Sequence, residues 1–510
     1  MRSEKVIKNV LVTWIGLAFV SLGGFVIRII LARTMAEEYL GLNGVFGNVI
    51  AVLSMAELGV GPAIAFSLYK PIAEKDERQI KALMRLFRNF YIGVGSFMII
   101  VGLIITPFIK TLFLKDMPTN VDHIYFIFMM YVVNAAFTYF FSYKCVYLSA
   151  NQYYYLYSAN HAICYVCMYI VQTIVLLVTK NFILFYSVQV ATTVIEYLRI
   201  SHIADKKYPI LRSRDKYDLP EDTKKTIKVN VFAAMGHNVG SVILNSTDNI
   251  VISKFVGLVK AGYYSNYMLI ISTLNMFMNQ AFQALLAGVG NLAVEADEKQ
   301  QEDTFYLVFF VNYWIYALAA TCLMCLATPF IELAFGKKFV LSLPILIAIV
   351  INFYATGMRQ TCIAYKSAYG ILIQDVHKAY IEAILNLIVS ILLVHKLGIL
   401  GVVLGTIISN YAVAFWIEPN VFFKHGFKKS PKKYYCYYAL YFVSFALMIA
   451  LSYKLTTLYS FSLVPQLLLN AVVAVVVSNL FVVIVWGRSK SFKTFYNILK
   501  NILKKKLNRS

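Results

Sequence analysis

Charge is what this sequence has least of. Only 14% of its 510 residues are Asp, Glu, Lys or Arg, against roughly a quarter in a soluble domain, which excludes a soluble globular protein. The acidic half is scarcer still, 25 residues against 47 Lys and Arg, for a net charge of +22. A basic balance in a polar domain would suggest nucleic acid. Here the basic residues lie in short segments between apolar runs, so they read as topology signals and no nucleic-acid partner is expected. Cysteine is sparse as well. Seven are present, and the two C-x-x-C pairs, Cys164/Cys167 and Cys322/Cys325, fall inside apolar runs with no flanking ligand cluster, so neither a disulfide framework nor a metal site is expected. Motifs for nucleotide or hydrolytic chemistry are missing: there is no Walker sequence, no HExxH and no GxSxG. The chain is read as a non-enzyme with no cofactor.

What is present is apolar length. Hydrophobic residues make up 60% of the chain, and the mean hydropathy is +0.68. A spanning helix needs about 20 mostly apolar residues, whereas a membrane β-barrel would show short alternating segments. The fold class is therefore an all-α polytopic membrane protein. Apolar runs predict fourteen helices, near 10–33, 43–69, 90–113, 121–146, 155–178, 182–203, 229–254, 262–290, 304–333, 341–366, 376–396, 399–418, 434–456 and 464–486. The first is expected to be an uncleaved membrane helix, because its apolar run is too long for a signal peptide. Segment 74–91 places Ile80, Leu83, Met84, Phe87 and Phe90 on one face and predicts an interfacial helix leading into the third span.

The distribution of Lys and Arg predicts orientation. With the N-terminus in the cytoplasm, 35 of the 47 fall in or beside inner segments and 10 in or beside outer loops. Both termini are then cytoplasmic and the number of spans is even. The basic tail with Lys504, Lys505 and Lys506 is expected to meet anionic lipid headgroups.

The chain also repeats itself. FVIRIILAR (25–33) parallels NSTDNIVIS (245–253), LGVGPAIA (58–65) parallels AGVGNLAV (287–294), and ITPFIKTLF (105–113) parallels ATPFIELAF (327–335). Tyr147-Leu-Ser-Ala150 parallels Tyr365-Lys-Ser-Ala368, and LLVTK (176–180) parallels LLVHK (392–396). Five ordered matches at offsets near 220 predict a duplicated six-helix unit. An even unit keeps both halves in one orientation, an architecture that suits a transporter whose lobes rock about a central site. The expected division is 1–214 and 215–420 for the lobes, with 421–510 carrying two further helices and the tail.

Ionisable groups inside spans mark functional candidates, because each costs several kcal/mol unless it meets water or a partner. Arg28 and Arg359 are the two basic residues that lie away from any loop, and they are candidate contacts for an anionic substrate. Asp248, which takes the place of Arg28 in the second half, is a candidate gating or ion-coupling group, as are Glu57 and His237. An Arg28–Asp248 ion pair is the structural alternative. Glu57 precedes Gly59, Gly61 and Pro62, a run that could bend the second helix and free backbone carbonyls. Glu196 and Glu382 are expected at helix ends near the membrane surface. Gly401, Gly405 and Ser409, spaced four apart, predict a close helix–helix contact.

Two segments resemble a known family. LYKPIAEKDERQIKALM (68–84), following AELGVGPAI (56–64), is similar to bacterial polysaccharide transporters. So is EAILNLIVSILLVHKLGILGVVLGTIISN (382–410), followed by WIEPN (416–420). These belong to the Wzx-like flippase branch of the multidrug/oligosaccharidyl-lipid/polysaccharide (MOP) exporter superfamily, and the resemblance covers the first twelve helices. It implies a MATE-like bundle of two lobes around a central cavity in the bacterial plasma membrane. The implied substrates are undecaprenyl-diphosphate-linked oligosaccharide units for capsule, O-antigen or another surface polysaccharide. Further implied partners are a coupling cation or proton and the pathway's polymerase and glycosyltransferases. The alternative is a multidrug/cation antiporter of the same superfamily.

Overall fold

The computed structural model describes residues 2–57, 60–213, 215, 217–295, 297–371 and 374–507, without side chains at scattered helical positions within 2–11, 56–63, 226–245, 280–295 and 499–507. Every regular element among these residues is helical. Eleven helical segments are long and apolar enough to cross a membrane. The helix–helix contacts divide the chain into two compact units, Met1–Gly262 and Tyr263–Ser510.

The first unit holds α1 (Arg2–Thr34), α2 (Glu37–Leu53), α3 (Val60–Glu74), α4 (Glu77–Ile105), the short α5 (Ile109–Phe113), α6 (Ile124–Ala150), α7 (Tyr154–Thr179), α8 (Phe182–Lys207) and α9 (Glu221–Phe255). Within it α1 packs on α7, α4 on α6, and α8 on both α6 and α7, while α9 packs on α2 and α3. From α10 (Leu258–Glu295) the chain enters the second unit: α11 (Glu298–Ala334), α12 (Leu343–Met358), α13 (Gln360–Ala368), α14 (Val376–Leu397), α15 (Ile399–Ser409), α16 (Phe415–Phe422), α17 (Lys432–Thr456), α18 (Leu463–Trp486) and α19 (Lys490–Leu507). Here α14 packs tightly on α15, and α11 is the hub for α12, α17 and α18.

Burial in these helices runs opposite to that of a soluble bundle. In α18 the exposed stripe is Leu468, Val472, Val476, Leu480 and Ile484, and the buried stripe is Asn470, Ala474, Ser478 and Val482. In α7 Ile163, Ile170, Ile174 and Leu177 face outward, while Asn160, Cys164, Met168, Gln172 and Leu176 face inward. Lipid tails are as apolar as leucine, so a membrane helix gains nothing by hiding its large aliphatic groups. It gains by burying small and polar ones against neighbours.

Several boundaries differ from the sequence reading. Segment 74–91 is no separate surface helix. Lys75 turns the chain with φ +56°, Asp76 caps the next helix by accepting from the Gln79 N–H at 3.0 Å, and α4 then runs unbroken to Ile105. Its predicted face is buried at Ile80, Leu83, Met84 and Phe87, with Tyr91 continuing it. The second span is interrupted, α2 ending at Leu53 and α3 starting at Val60, with a 3-10 turn at Ser54–Glu57 between them. Most of 204–228 is helical, because α8 extends to Lys207, a 3-10 turn covers Pro209–Arg212 and α9 starts at Glu221. The tail forms α19, which sets Phe492 and Phe495 on Trp314 of α11 and pairs Lys490 with Asp303 at 2.6 Å. Gly401 and Gly405 do make the expected close contact: a Cβ on Gly401 would sit 2.4 Å from the Leu393 carbonyl oxygen, and one on Gly405 2.2 Å from Ser390 Oγ.

Candidate functional site

The densest polar site of the second unit begins where a helix fails. α12 ends at Met358 and α13 starts at Gln360, so Arg359 sits at a break. Its Nε donates to Glu418 Oε2 at 3.0 Å and its NH2 to Glu418 Oε1 at 2.8 Å. NH1 and NH2 reach the two oxygens of Glu382 at 2.8 and 3.4 Å. One guanidinium thus forks onto two carboxylates, the geometry that Arg offers and Lys does not. Lys378, one turn before Glu382 on α14, donates to Glu418 and lies 3.6 Å from Asp375. Asp375 also accepts from Lys366 of α13. The side chains of Glu382, Glu418 and Asp375 are at most 4% exposed, and that of Arg359 is 14% exposed. Three cations and three carboxylates close on one another, which is how such groups survive removal from water.

Backbone irregularity supports the cluster. Between α15 and α16 the helix winds as π over Asn410–Ala414, and it does so again at Phe423–Phe427. π turns inside α-helices concentrate at functional sites, and these two bracket Glu418. Beside the cluster, Asn386 donates to Thr406 at 2.9 Å.

The corresponding helices of the first unit carry smaller polar groups. Lys144 of α6 donates to Asp205 at 2.8 Å and to Ser201 at 2.7 Å, both on α8. His161 Nδ1 lies 2.8 Å from Glu196 Oε1, and Asn160 donates to the Glu196 carbonyl at 3.1 Å. The His161 ring packs between Tyr157 and Tyr165, at 6.0 and 4.1 Å.

The candidates from sequence fall as follows. Glu57 ends the 3-10 turn that interrupts the second span, and its Oε1 accepts from Tyr91 Oη at 3.1 Å. Arg28 is half-buried on α1, within electrostatic reach of Tyr131, a ring that stacks on Tyr186 at 4.0 Å. Asp248 is buried on α9, in the same compact unit as Arg28. His237 lies outside the residues whose side chains are described. Glu196 and Glu382, expected near helix ends at the membrane surface, are both buried within the protein, Glu382 against Arg359 and Glu196 against His161. Lys378, Glu418, Lys366, Asp375, Lys144, Asp205 and His161 are cluster members that sequence reasoning misses. One signal is present: Lys378, Glu382, Asn386 and Ser390, spaced four apart, form a polar stripe along a helix whose middle is largely aliphatic.

Comparison with known proteins bears on the fold. No family model matches the sequence, and no curated protein matches it either. Solved structures do match. The lipid II flippase MurJ in its inward closed conformation aligns with a TM-score of 0.63 and 14% identity, covering 93% of this chain and 98% of that one. An inward-facing multidrug resistance MATE family transporter of the MOP superfamily aligns at 0.61 and 14% identity, over 78% of this chain and 92% of that one. A point mutant of the Vibrio cholerae MATE transporter VcmN aligns at 0.57 and 16% identity, over 84% and 98%. This chain therefore has the all-helical membrane fold that MurJ and the MATE transporters share.

Proposed function

We propose that this protein is a flippase. It moves undecaprenyl-diphosphate-linked oligosaccharide units across the bacterial plasma membrane by alternating access of two lobes, 1–214 and 215–420, around a central cavity. The observation that carries this reading is the extent of the likeness to the lipid II flippase. Residues 421–510 are 90 of the 510 positions, so an alignment covering 93% of the chain includes part of the C-terminal helices. The MATE alignments reach 78% and 84%. A lipid-borne substrate leaves its tail in the bilayer, and only its charged and glycan portions need a polar path.

Arg28 and Arg359 are the proposed cations for the diphosphate, on unequal terms. Arg28 sits beside an aromatic group. Arg359 would have to exchange a carboxylate for a phosphate, which ties substrate binding to rearrangement of the cluster. Asp248, Glu57 and His237 are the proposed gating or coupling groups for a cation or proton, and Glu57 lies at a helix break that can hinge. Basic segments, α19 among them, contact anionic lipid, and the pathway's polymerase and glycosyltransferases are the proposed neighbours. Both termini are cytoplasmic in this reading: reporters fused at Ser510 and near Thr119 are expected in opposite compartments, and one shared compartment would refute the orientation.

The second reading, a multidrug/cation antiporter, is favoured by the MATE neighbours. Depletion in the native host separates the two. A flippase leaves lipid-linked oligosaccharide on the leaflet where it is made, with drug retention unchanged. Raised drug retention without that intermediate would establish the antiporter instead.

A further inference from the structure

The start of α4 carries three cations on one face. Lys81, Arg85 and Arg88 follow the i, i+4, i+7 spacing that aligns side chains along a helix. They line a cleft of about 280 Å³ whose other walls include Tyr143 of α6, Leu211 and Ser213. A second cavity of about 820 Å³ adjoins it, sharing Lys81, Ile210, Ser213 and Asp215 and adding Lys75, Arg212 and Glu77. Ligand pockets run from roughly 300 to 1,000 Å³. The wall between the two is an ion pair: Lys81 Nζ donates to Asp215 Oδ2 at 2.9 Å and lies 5.9 Å over the Tyr217 ring. The 3-10 turn Pro209–Arg212 holds this wall in place.

Asp215 therefore occupies Lys81. Arg85 and Arg88 are exposed, and neither donates a hydrogen bond or forms an ion pair among the described residues. Among the described residues that line the smaller cleft, three cations stand against one carboxylate, a formal excess of two. Two guanidinium forks, a tyrosine hydroxyl and a serine hydroxyl around a small cleft are phosphate-binding chemistry. A phosphodiester carries one charge and would leave half of the excess uncompensated. We propose that this cleft binds a phosphate group carrying at least two charges, a phosphomonoester or a diphosphate. The ligand comes either from a lipid-borne diphosphate, which rests on the flippase reading, or from a soluble one, which does not.

The test uses the full chain in nanodiscs of phosphatidylcholine alone, titrated with inorganic pyrophosphate by calorimetry. Binding is expected to weaken with salt. Arg85→Gln with Arg88→Gln should lower affinity about 10- to 100-fold, from the loss of charge-assisted hydrogen bonds. Asp215→Asn frees Lys81 and should raise affinity about fivefold, whereas Lys224→Gln, outside the cleft, should change nothing. No pyrophosphate binding, equal binding by a double-arginine variant of normal thermal stability, or weaker binding by Asp215→Asn would each overturn the proposal. Should the arginine variant fail to fold, the Asp215→Asn result decides. A polyprenyl diphosphate added to the discs is expected to compete with pyrophosphate, which assigns the lipid-borne source. Failure to compete, with pyrophosphate binding intact, supports the soluble source and leaves the flippase reading to its own test. Phosphatidylglycerol competing as well as the diphosphate lipid would overturn the requirement for at least two charges.

Discussion

The block α6–α8 and the block α12–α16 share a pattern of helix ends and almost no chemistry. After α6 the N–H groups of Asn151, Gln152 and Tyr153 donate to the carbonyls of Tyr147, Ser149 and Leu148. After α13 those of Tyr369, Gly370 and Ile371 donate to Tyr365, Ser367 and Lys366. The pattern is the same at an offset of 218, and the left-handed turn residues, Gln152 at φ +65° and Gly370 at φ +69°, correspond. The next helices also end in register, with Lys180 donating to Leu176 and Gly398 to Val394. The third helices end at Lys207 and Phe427, two residues beyond that offset, and the two π turns of the second block, each closing its ring one residue later than α, account for the excess.

The charges follow no such register. At an offset of 218, Arg359, Lys366, Asp375, Lys378 and Glu382 correspond in sequence to Phe141, Leu148, Tyr157, Asn160 and Cys164. Lys144 and His161 correspond to Cys362 and Ala379. Helix ends, which backbone hydrogen bonding dictates, recur at this offset, whereas the buried ion pairs do not. The latches after each block are reversed in sign. Lys81, the fifth residue of α4, donates to Asp215 in the following loop. Glu302, the fifth residue of α11, accepts from Lys429 and Lys433 at 2.7 and 2.8 Å.

If the second block is the electrostatically committed one, its central arginine should matter most. Arg359→Ala removes the guanidinium partner of Glu382 and leaves Glu418 with Lys378. Stranding a buried carboxylate costs about 3–5 kcal/mol, read as thermal stability in detergent. Arg359→Lys should recover part of this, and Arg359→Ala with Glu382→Ala more, because neither charge is then stranded. A loss no larger than that of Lys144→Ala would break the comparison.

Close packing is the next difference. Gly405→Ala puts a Cβ 2.2 Å from Ser390 Oγ and 2.8 Å from the Ser390 backbone nitrogen, so α14 and α15 must separate, at a cost of about 1–3 kcal/mol. The first block has Ser187 at the matching offset, a side chain that an approach as close as that of Gly405 would not admit. Gly93→Ala, where nothing lies within 4 Å, is the control and should be neutral or slightly stabilising in the same melt. Lys144→Ala should cost less than Arg359→Ala, about 1.5 kcal/mol, because Asp205 is 19% exposed and can rehydrate.

How much of this the sequence discloses follows the same division. Apolar length locates eleven of the fourteen expected spans among the described residues, since helix existence depends on the average of many residues. The Gly401–Gly405 contact is legible because a four-residue glycine spacing has few other uses in a membrane. LLVTK and LLVHK match at an offset of 216 whereas the helix ends match at 218, a two-residue slip that similar aliphatic residues conceal. A better marker of the repeat is a pair of caps: Asp76-Glu-Arg-Gln79 and Asp297-Glu-Lys-Gln300 both start a helix, each Asp accepting from the Gln N–H three residues on. Arg359 stands out in the sequence for lying deep in a span. Its carboxylate partners do not, because Glu418 and Glu382 are 59 and 23 residues away and only the fold brings them together.

The smallest expected effect concerns the reversed latches. The Lys81 ammonium, hydrogen-bonded to Asp215, holds that carboxyl below its ordinary 3.8. For an acid with a depressed folded value, the latch contribution is complete above the unfolded value and disappears as pH falls through the folded one. Hydrogen exchange in the 209–217 loop should therefore be free of any latch titration between pH 5 and 8 once intrinsic exchange rates are divided out, and should rise only in strong acid. Asp215→Asn should bring that looser state to neutral pH, and added salt should do the same in part, since the pair faces solvent. The 428–431 loop, held by two lysines on one glutamate, should loosen less under the same salt. Equal loosening of both loops would mean that the sign reversal carries no difference in strength.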